Sequence, residues 1–215
     1  QVIPYVIPGR TGAMLEAEDI AILNEQYPNV ACVKEATGDL DNMAKTRRIC
    51  GEKFTIMSGD DDKTVTMMKR NDIRASGVIS VMSNILPGAI QRLTEMLSEE
   101  KNNEADKLAK SMSPLFSCVG VNTTEATSFG KVVCKARNPL AIKSLMNILG
   151  MPSGPTRRPL GKMTKNGITV VLEAARQVQK NDPSLFAPIS DFFNVDIEAR
   201  LQDERLIHGL IYETY

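Results

Sequence analysis

The chain has 215 residues, of which 42% are hydrophobic and 24% charged, and its formal net charge is zero. Such a balance is typical of a globular protein, and it gives no overall field that would favour nucleic acid or a membrane surface as a partner. No apolar run is long enough to span a bilayer, and residues 1–8 lack the basic start and cleavage site of a signal peptide.

The first hundred residues alternate between short apolar segments and amphipathic ones. Strands are predicted at 2–7, 30–34, 54–57 and 77–81, and helices at 16–26, 40–50, 63–69 and 87–98. Asp39 is predicted to cap the second helix, and Pro87 suits the first turn of the fourth. Strands that are apolar throughout indicate a parallel sheet buried on both faces. The pattern fits half of a (β/α)8 barrel or a small doubly wound sheet, and no G-x-G-x-x-G supports a nucleotide-binding version.

Beyond about residue 100 the pattern predicts helices only, at 103–118, 139–149 and 165–180. We therefore expect residues 1–100 to form the barrel-like part and residues 101–215 a helical C-terminal domain and tail. Residues 122–125, NTTE, are predicted to be a loop or a helix start with a capping role. The tail after Asp182 is expected to bury its aromatic residues against its own domain or a neighbouring subunit. These aromatic residues are Phe186, Phe192, Phe193, Tyr212 and Tyr215.

The cysteines and the histidine do not have metal-site spacing. Cys32, Cys50, Cys118 and Cys134 form no C-x-x-C pair, and His208 is alone. Reduced thiols in a cytoplasmic protein are favoured over disulfides, and no metal is expected.

The carboxyl ends of the predicted strands, where barrel enzymes place their sites, carry several polar side chains. The segments are 5–11, 34–38, 58–61 and 79–80. Lys34 follows four apolar residues, and burial of an amine favours its neutral form, which can attack a carbonyl to form a Schiff base. The alternative is that Lys34 lies at the strand edge and pairs with Glu35 or a loop carboxylate.

Two further residues suit carbonyl chemistry. The phenol of Tyr5 can pass a proton to or from the intermediate, although for a tyrosine considered alone core packing with a hydrogen-bonded hydroxyl is the commoner case. Arg10 can donate two hydrogen bonds to a carboxylate, although an arginine in a loop is commonly a surface charge.

Together, residues 5–12 (YVIPGRTG) and 34–39 (KEATGD) resemble the two signature segments of the dihydrodipicolinate synthase family. Residues 58–61 and 77–81 look like its last two barrel strands. Residues 138–143 and 158–160 are similar to its helical C-terminal region. The resemblance covers about residues 1 to 180 in the right order, and it implies a (β/α)8 barrel, of which this chain supplies strands five to eight.

The resemblance implies the condensation of pyruvate with L-aspartate-4-semialdehyde to 4-hydroxy-tetrahydrodipicolinate, on the route to diaminopimelate and lysine. Lys34 would form the imine, Tyr5 would relay protons and Arg10 would hold the semialdehyde carboxylate. Gly59 would line the pocket floor, and the carbonyl of Ile79 would face the lysine. No cofactor beyond the covalent imine is implied, and the enzyme would be a homo-oligomer, either a tetramer or a dimer.

The chain departs from the family at two points. Val6 stands where the family usually has asparagine. The sequence also starts at the expected fifth strand, without the segment that binds the pyruvate carboxylate and without the second tyrosine of the proton relay. We therefore expect a piece of a longer protein, inactive and unstable as a monomer by itself.

Two other functions stay open. One is another pyruvate lysine aldolase, such as N-acetylneuraminate lyase or a 2-keto-3-deoxy sugar acid aldolase, against which Arg10 argues. The other is a half barrel that acts as a non-catalytic interaction module.

Overall fold

The computed structural model describes residues 1–213. The chain divides into two compact units, Gln1–Ala109 and Lys110–Tyr215. None of the described helices is long and apolar enough to cross a membrane.

The first unit is built on a parallel four-stranded sheet with the order β1-β2-β3-β4. The strands are β1 (Tyr5–Val6), β2 (Cys32–Glu35), β3 (Thr55–Ser58) and β4 (Gly77–Val78). The helices are α1 (Pro8–Thr11), α2 (Ala17–Gln26), α3 (Leu40–Cys50), α4 (Thr64–Lys69) and α5 (Pro87–Ser98). The predicted alternation and the parallel sheet are confirmed, and α1 is an extra turn that the sequence did not indicate.

Local signals account for the helix starts. The Asp39 carboxylate accepts hydrogen bonds from the amides of Asp41 and Asn42 at the start of α3, so the predicted cap is confirmed. Pro87 occupies the first turn of α5, where its missing N–H costs nothing. Glu16 and Asp19 form a reciprocal capping box at the start of α2.

The helices cover only one face of this sheet. Val6, Val33 and Ile56 point to the covered face and are buried with Ile20 and Met43 of the helices. On the opposite face Tyr5 is 45% exposed and Ile79 39% exposed, and Lys34 and Met57 are half-buried. The prediction that the strands are buried on both faces is wrong for the described chain, because the second face is not fully covered.

A buried arginine supports the amino ends of the strands. The Arg47 guanidinium, on α3, donates to the carbonyls of Phe54 (2.6 Å), Gly51 (2.8 Å) and Ile73 (2.9 Å). Burial lowers the pKa of this guanidinium. Arg47 thereby supplies hydrogen-bond donors to backbone carbonyls that are not paired within a helix or between strands.

The second unit contains a β-hairpin, so the prediction of helices alone is wrong. Its strands are β5 (Val121–Thr127) and β6 (Gly130–Ala136), antiparallel with Val121 opposite Ala136. The helices are α7 (Leu140–Ile148), α8 (Lys165–Asn181), α9 (Ala187–Phe193) and α10 (Ile197–Gln202), and α6 (Asn102–Phe116) crosses the boundary at Ala109.

Residues 122–125 belong to β5 and are neither a loop nor a helix cap. The Glu125 carboxylate, only 8% exposed, accepts from the Thr123 hydroxyl and from the Asn166 amide at the start of α8, each at 2.7 Å. The β-branched threonines of this segment favour a strand. The hydrogen bond from Asn166 on α8 provides the buried Glu125 carboxylate with a donor.

The tail packs within the second unit. Phe186 is completely buried with Ile189, Ile197 and Leu201, and Arg176 of α8 donates two hydrogen bonds to the carbonyl of Leu201. Burial of the tail against its own domain is therefore confirmed for Phe186. Phe192 is 81% exposed, a contact of the tail with a neighbouring subunit stays a prediction, and Tyr215 lies outside the described residues.

The four cysteines are free thiols, with Cys32 and Cys118 buried. Burial raises the pKa of the Cys118 thiol to about 11.

Candidate active site

The structure places Lys34 on the less covered face of the sheet, beside Tyr5. Lys34 lies in β2, an interior strand, in register with Tyr5 on β1 and with Met57 on β3. Residues paired in register share a face, and the Lys34 ammonium position lies 3.9 Å from the centre of the Tyr5 ring. The two residues predicted to do the chemistry are thus in direct contact.

The edge position considered for Lys34 is wrong, because β2 is paired with β1 on one side and with β3 on the other. Pairing with a loop carboxylate stays open, since the Lys34 ammonium acts on the carboxyl pKa of Asp60 in the loop after β3. Among residues 1–213 no ion pair involves the Lys34 amine. Glu35 points to the covered face, is 2% exposed, and accepts a hydrogen bond from the amide of Thr37 at 3.1 Å. Burial raises the pKa of the Glu35 carboxyl.

Gly59 brings the carboxyl end of β3 against that of β2. Its amide donates to the carbonyl of Glu35 at 2.7 Å. A Cβ at this position would lie 2.8 Å from the Cβ of Ala36 and 2.9 Å from the oxygen of Glu35, closer than real Cβ atoms approach. Position 59 therefore requires glycine because the ends of β2 and β3 approach too closely for a side chain. The backbone of Gly59 does not have a positive φ.

Ile79 follows β4 directly, next to Gly59 across the sheet. Its amide donates to the carbonyl of Ser58 at 2.8 Å, which extends the β3–β4 pairing by one bond. After Ile79 the chain leaves the sheet, because the amides of Val81 and Met82 donate to the Asp61 carboxylate. This is why β4 is shorter than predicted.

Arg10 lies in α1, immediately after β1 and therefore at the same end of the sheet as Lys34. Its side chain is exposed, and its amide donates to the carbonyl of Ile7 at 2.9 Å. Its binding of a substrate carboxylate stays a prediction.

Asp60 and Asp61 lie in the loop after β3, within the segment 58–61 that the sequence indicated, although no role was predicted for either residue. Burial raises the pKa of the Asp60 carboxyl, and the carboxylates of Asp62 and Asp61 raise it further. The Lys63 and Lys34 ammonium groups act in the opposite direction. The neighbourhood of Lys34 is thus acidic on the β3 side, and only the pairing of β2 with β3 reveals it.

Within residues 1–213 no group of three or more histidine, cysteine, aspartate or glutamate side chains is arranged to hold a metal ion. The chemistry that the arrangement offers is that of an amine and a phenol.

A parallel sheet with a helix after each strand, and with polar side chains gathered at the strands' carboxyl ends, defines the first unit as an α/β structure. The chain belongs to the dihydrodipicolinate synthetase family, whose sequence profile matches residues 1–178. Every residue predicted for the site lies within this range.

Curated relatives carry the name 4-hydroxy-tetrahydrodipicolinate synthase. The protein from Methanococcus vannielii is 30% identical over 165 residues, which is 77% of this chain and 50% of that protein. The protein from a Sulfurihydrogenibium species is 33% identical over 174 residues, 80% of this chain and 54% of that protein. The chain thus spans about half the length of the curated relatives it matches.

Solved structures of proteins with the same name have a similar fold. The synthase from Cyanidioschyzon merolae with lysine bound has a TM-score of 0.69 at 31% identity, covering 82% of this chain and 54% of that one. The Aquifex aeolicus synthase has a TM-score of 0.68 at 27% identity, covering 83% of this chain and 54% of that one.

Proposed function

We propose that this chain supplies the imine-forming lysine of a lyase that condenses pyruvate with L-aspartate-4-semialdehyde to give 4-hydroxy-tetrahydrodipicolinate. The observation that carries the proposal is the contact of the Lys34 amine with the Tyr5 ring, in a chain that belongs to the dihydrodipicolinate synthetase family.

In the first step the lone pair of the Lys34 amine attacks the keto carbon of pyruvate, and a proton passes from the nitrogen to the keto oxygen, which gives a neutral carbinolamine. Tyr5 passes a further proton to the resulting hydroxyl, which leaves as water and gives the iminium. The iminium withdraws electrons from the methyl carbon, so one methyl proton is lost and an enamine forms. The iminium thus acts as the electron sink within the covalent intermediate, and no metal or organic cofactor is required.

In the second step the enamine carbon attacks the aldehyde carbon of the semialdehyde, whose oxygen becomes a hydroxyl. Arg10 holds the semialdehyde carboxylate, since a guanidinium can donate two parallel hydrogen bonds to it. The substrate's own amine then attacks the imine carbon, which closes the ring and releases Lys34. Gly59 lines the floor of the pocket, at the point where β3 comes too close to Ala36 and the Glu35 carbonyl to carry a side chain.

The four βα units of the first unit are the second half of a (β/α)8 barrel, strands five to eight. The face of the sheet that carries Tyr5 and Lys34 is the inner face of that barrel, which fits its partial exposure. The residues that bind the pyruvate carboxylate belong to the first half, and the whole enzyme is a cytoplasmic homo-oligomer, a tetramer or a dimer. Residues 101–215, with the hairpin, form its C-terminal domain.

Trapping with borohydride tests the lysine. The whole protein, with the first half of the barrel present, is incubated with pyruvate and sodium borohydride, and the intact mass and the modified peptide are recorded. One reduced pyruvate on Lys34 is expected in the wild type and none in Lys34→Arg. Lys53→Arg, which changes an exposed lysine of the same unit, should trap as the wild type does. No adduct on the whole protein, with the first half of the barrel present, or an adduct elsewhere refutes the proposal and favours the non-catalytic alternative. No adduct on the 215-residue chain alone shows only that this half does not hold pyruvate unaided.

A second panel distinguishes the substrates. With pyruvate as the donor, L-aspartate-4-semialdehyde should be consumed, and Arg10→Ala should raise the KM for the semialdehyde more than that for pyruvate. Consumption of N-acetylmannosamine or glyceraldehyde in its place would favour one of the sugar aldolases.

A further inference from the structure

One edge of the β-hairpin in the second unit has no neighbouring strand. β5 and β6 form a sheet of two strands joined by the turn at residues 128–129. β6 is seven residues long. Among the described residues, no backbone hydrogen bond joins it to a segment other than β5. An edge of this kind presents a row of backbone donors and acceptors that another strand can use.

The register of the hairpin identifies which residues of β6 face the open edge. Thr127 and Gly130 flank the two-residue turn and are paired, so they form a hydrogen-bonded pair. Such pairs alternate with non-bonded ones along an antiparallel ladder, and Val132 and Cys134 are therefore also bonded to β5. The backbone groups of the residues between them point away from β5. These residues are Lys131, Val133 and Lys135.

The same three side chains lie on the open face of the hairpin. Residues paired across a ladder share a face, and the partners of all three on β5 are exposed as well. Val133 is 66% exposed, and among residues 1–213 no ion pair involves Lys131 or Lys135. The two lysines, four residues apart in a strand, are about 13 Å from each other. The edge therefore offers an apolar side chain between two cations.

A cavity of about 260 Å³ adjoins the second half of β6. Val133 and Lys135 of the strand line it, together with Leu160 and Lys162 of the segment before α8. None of the ion pairs in the described part of the chain involves Lys162. A side chain of a further strand beside β6 can enter this cavity, and its two lysines favour an anion there over a cation.

We propose that β6 is the docking site for an extended acidic segment of another protein, which adds to the hairpin as a third strand antiparallel to β6. The segment carries carboxylates two residues before and two residues after an apolar residue. The apolar residue pairs with Val133, and the carboxylates lie opposite Lys131 and Lys135. Backbone hydrogen bonds supply the affinity of such an added strand, and its alternate side chains supply the specificity.

A second copy of the chain fits this edge less well. Antiparallel pairing of β6 with β6 of another copy, centred on Val133, would place each Lys131 opposite a Lys135. Like charges directly opposite each other are destabilising. Lysines on an edge strand oppose pairing between copies, and they leave pairing with an acidic strand favourable.

A segment of the 215 residues themselves does not fit either. Carboxylates spaced in this way about an apolar residue occur once in the sequence, at Glu95, Leu97 and Glu99. These residues lie at the end of α5, and Leu97 is buried. They are therefore not available as an extended strand, which leaves a partner from outside these residues.

The experiment measures the binding of two synthetic peptides to the whole protein by fluorescence anisotropy. One peptide is Thr-Glu-Thr-Val-Thr-Glu-Thr, and the other has lysine in place of both glutamates. The double variant Lys131→Glu, Lys135→Glu reverses the charge of the edge. Val133→Pro removes the N–H at the centre of the edge and no bond to β5. Val133→Thr is its matched control, because it keeps that N–H and a β-branched side chain.

We expect the wild type to bind the glutamate peptide with a Kd below about 1 mM, on the order of tenfold more tightly than the lysine peptide. The charge-reversed double variant should show the opposite preference. Val133→Pro should abolish binding, and Val133→Thr should retain it within about threefold. Bound peptide should slow hydrogen exchange in residues 130–136 of the wild type, because the outward amides gain partners.

Several results would overturn the proposal. Failure of the glutamate peptide to bind at about 1 mM means that no acidic strand adds to this edge in the whole protein. Equal binding of the two peptides rejects the role of the lysines. Binding without slower exchange in residues 130–136 places the peptide elsewhere. Self-association of the wild type that Val133→Pro abolishes assigns the edge to a second copy.

The charge-reversed double variant keeps the test decisive if Val133→Pro disturbs the hairpin. A reversed peptide preference requires contact with Lys131 and Lys135, and an unchanged preference refutes the proposal whatever the proline variant does. None of these measurements uses pyruvate, so their outcome is independent of the proposed imine chemistry.

Discussion

Gly59 lies where β3 approaches β2 most closely, and a single added methyl group tests that approach. In Gly59→Ala the new Cβ would meet the Cβ of Ala36 at 2.8 Å and the oxygen of Glu35 at 2.9 Å. Neither neighbour is the far end of a flexible side chain, so relief requires movement of the backbone at the ends of β2 and β3.

The cost has two parts. Overpacking of this kind costs about 1–3 kcal/mol. The strands can separate only by stretching the hydrogen bond from the Gly59 amide to the Glu35 carbonyl, now 2.7 Å, which contributes about 1 kcal/mol. We expect Gly59→Ala to lower the free energy of unfolding by about 2–4 kcal/mol, a large part of the stability of an ordinary domain.

The assay is urea unfolding of the full chain, with Gly9→Ala as the control. Gly9 lies at the same end of the sheet, and a Cβ there meets nothing within 4 Å, so that variant should be neutral or stabilised by up to about 1 kcal/mol. Borohydride trapping should also slow in Gly59→Ala, since the loop after β3 moves. Unfolding free energies of the two variants within about 0.5 kcal/mol of each other would refute the close approach.

Three other changes test different parts of the molecule. Arg47→Met should cost about 2–4 kcal/mol in urea unfolding, because buried carbonyls lose their donor; exposed Arg48→Met is the control, and equal effects would contradict the role of Arg47. Burial raises the pKa of Glu35, so the folded state binds that proton more tightly than the unfolded state. Stability should therefore fall as pH rises from the ordinary value of 4.5 through the raised value. Glu35→Gln should flatten this part of the urea-midpoint curve, and a slope equal to that of the wild type would refute the prediction. Cys118, with a pKa of about 11 and no exposed surface, should react with iodoacetamide only in urea; labelling as fast as that of half-buried Cys134 in native buffer would contradict its burial.

The hairpin shows where sequence patterns were insufficient. Residues 122–125 combine a polar amide, two threonines and a glutamate, and such a run is typical of a capped helix start or a loop. The structure pairs it with β6 and buries Glu125 against Asn166, a partner 41 residues away. A contact of that separation leaves no local signature, so the local preference was misleading.

Arg47 and Asp61 were missed for the same reason. Arg47 looks like an exposed helix residue in the run of basic residues on α3, yet its guanidinium reaches carbonyls on the segment before β4. Asp61 lies in a segment that the sequence marked as part of the site. Its partners, however, follow the next strand, 19 to 21 residues later.

By itself the sequence determined the order of the βα units, the parallel sheet, the Asp39 cap and the placement of Lys34 and Tyr5 at one end of the sheet. These follow from apolar periodicity, from capping chemistry and from the direction of parallel strands, all of which act over a few residues. Only the tertiary structure decided that Lys34 contacts the Tyr5 ring, that Gly59 must lack a side chain and that Asp61 holds the segment after Ile79. Those facts depend on register and on the packing of segments distant in sequence, where several arrangements satisfy the same local pattern and the burial of particular polar groups selects one.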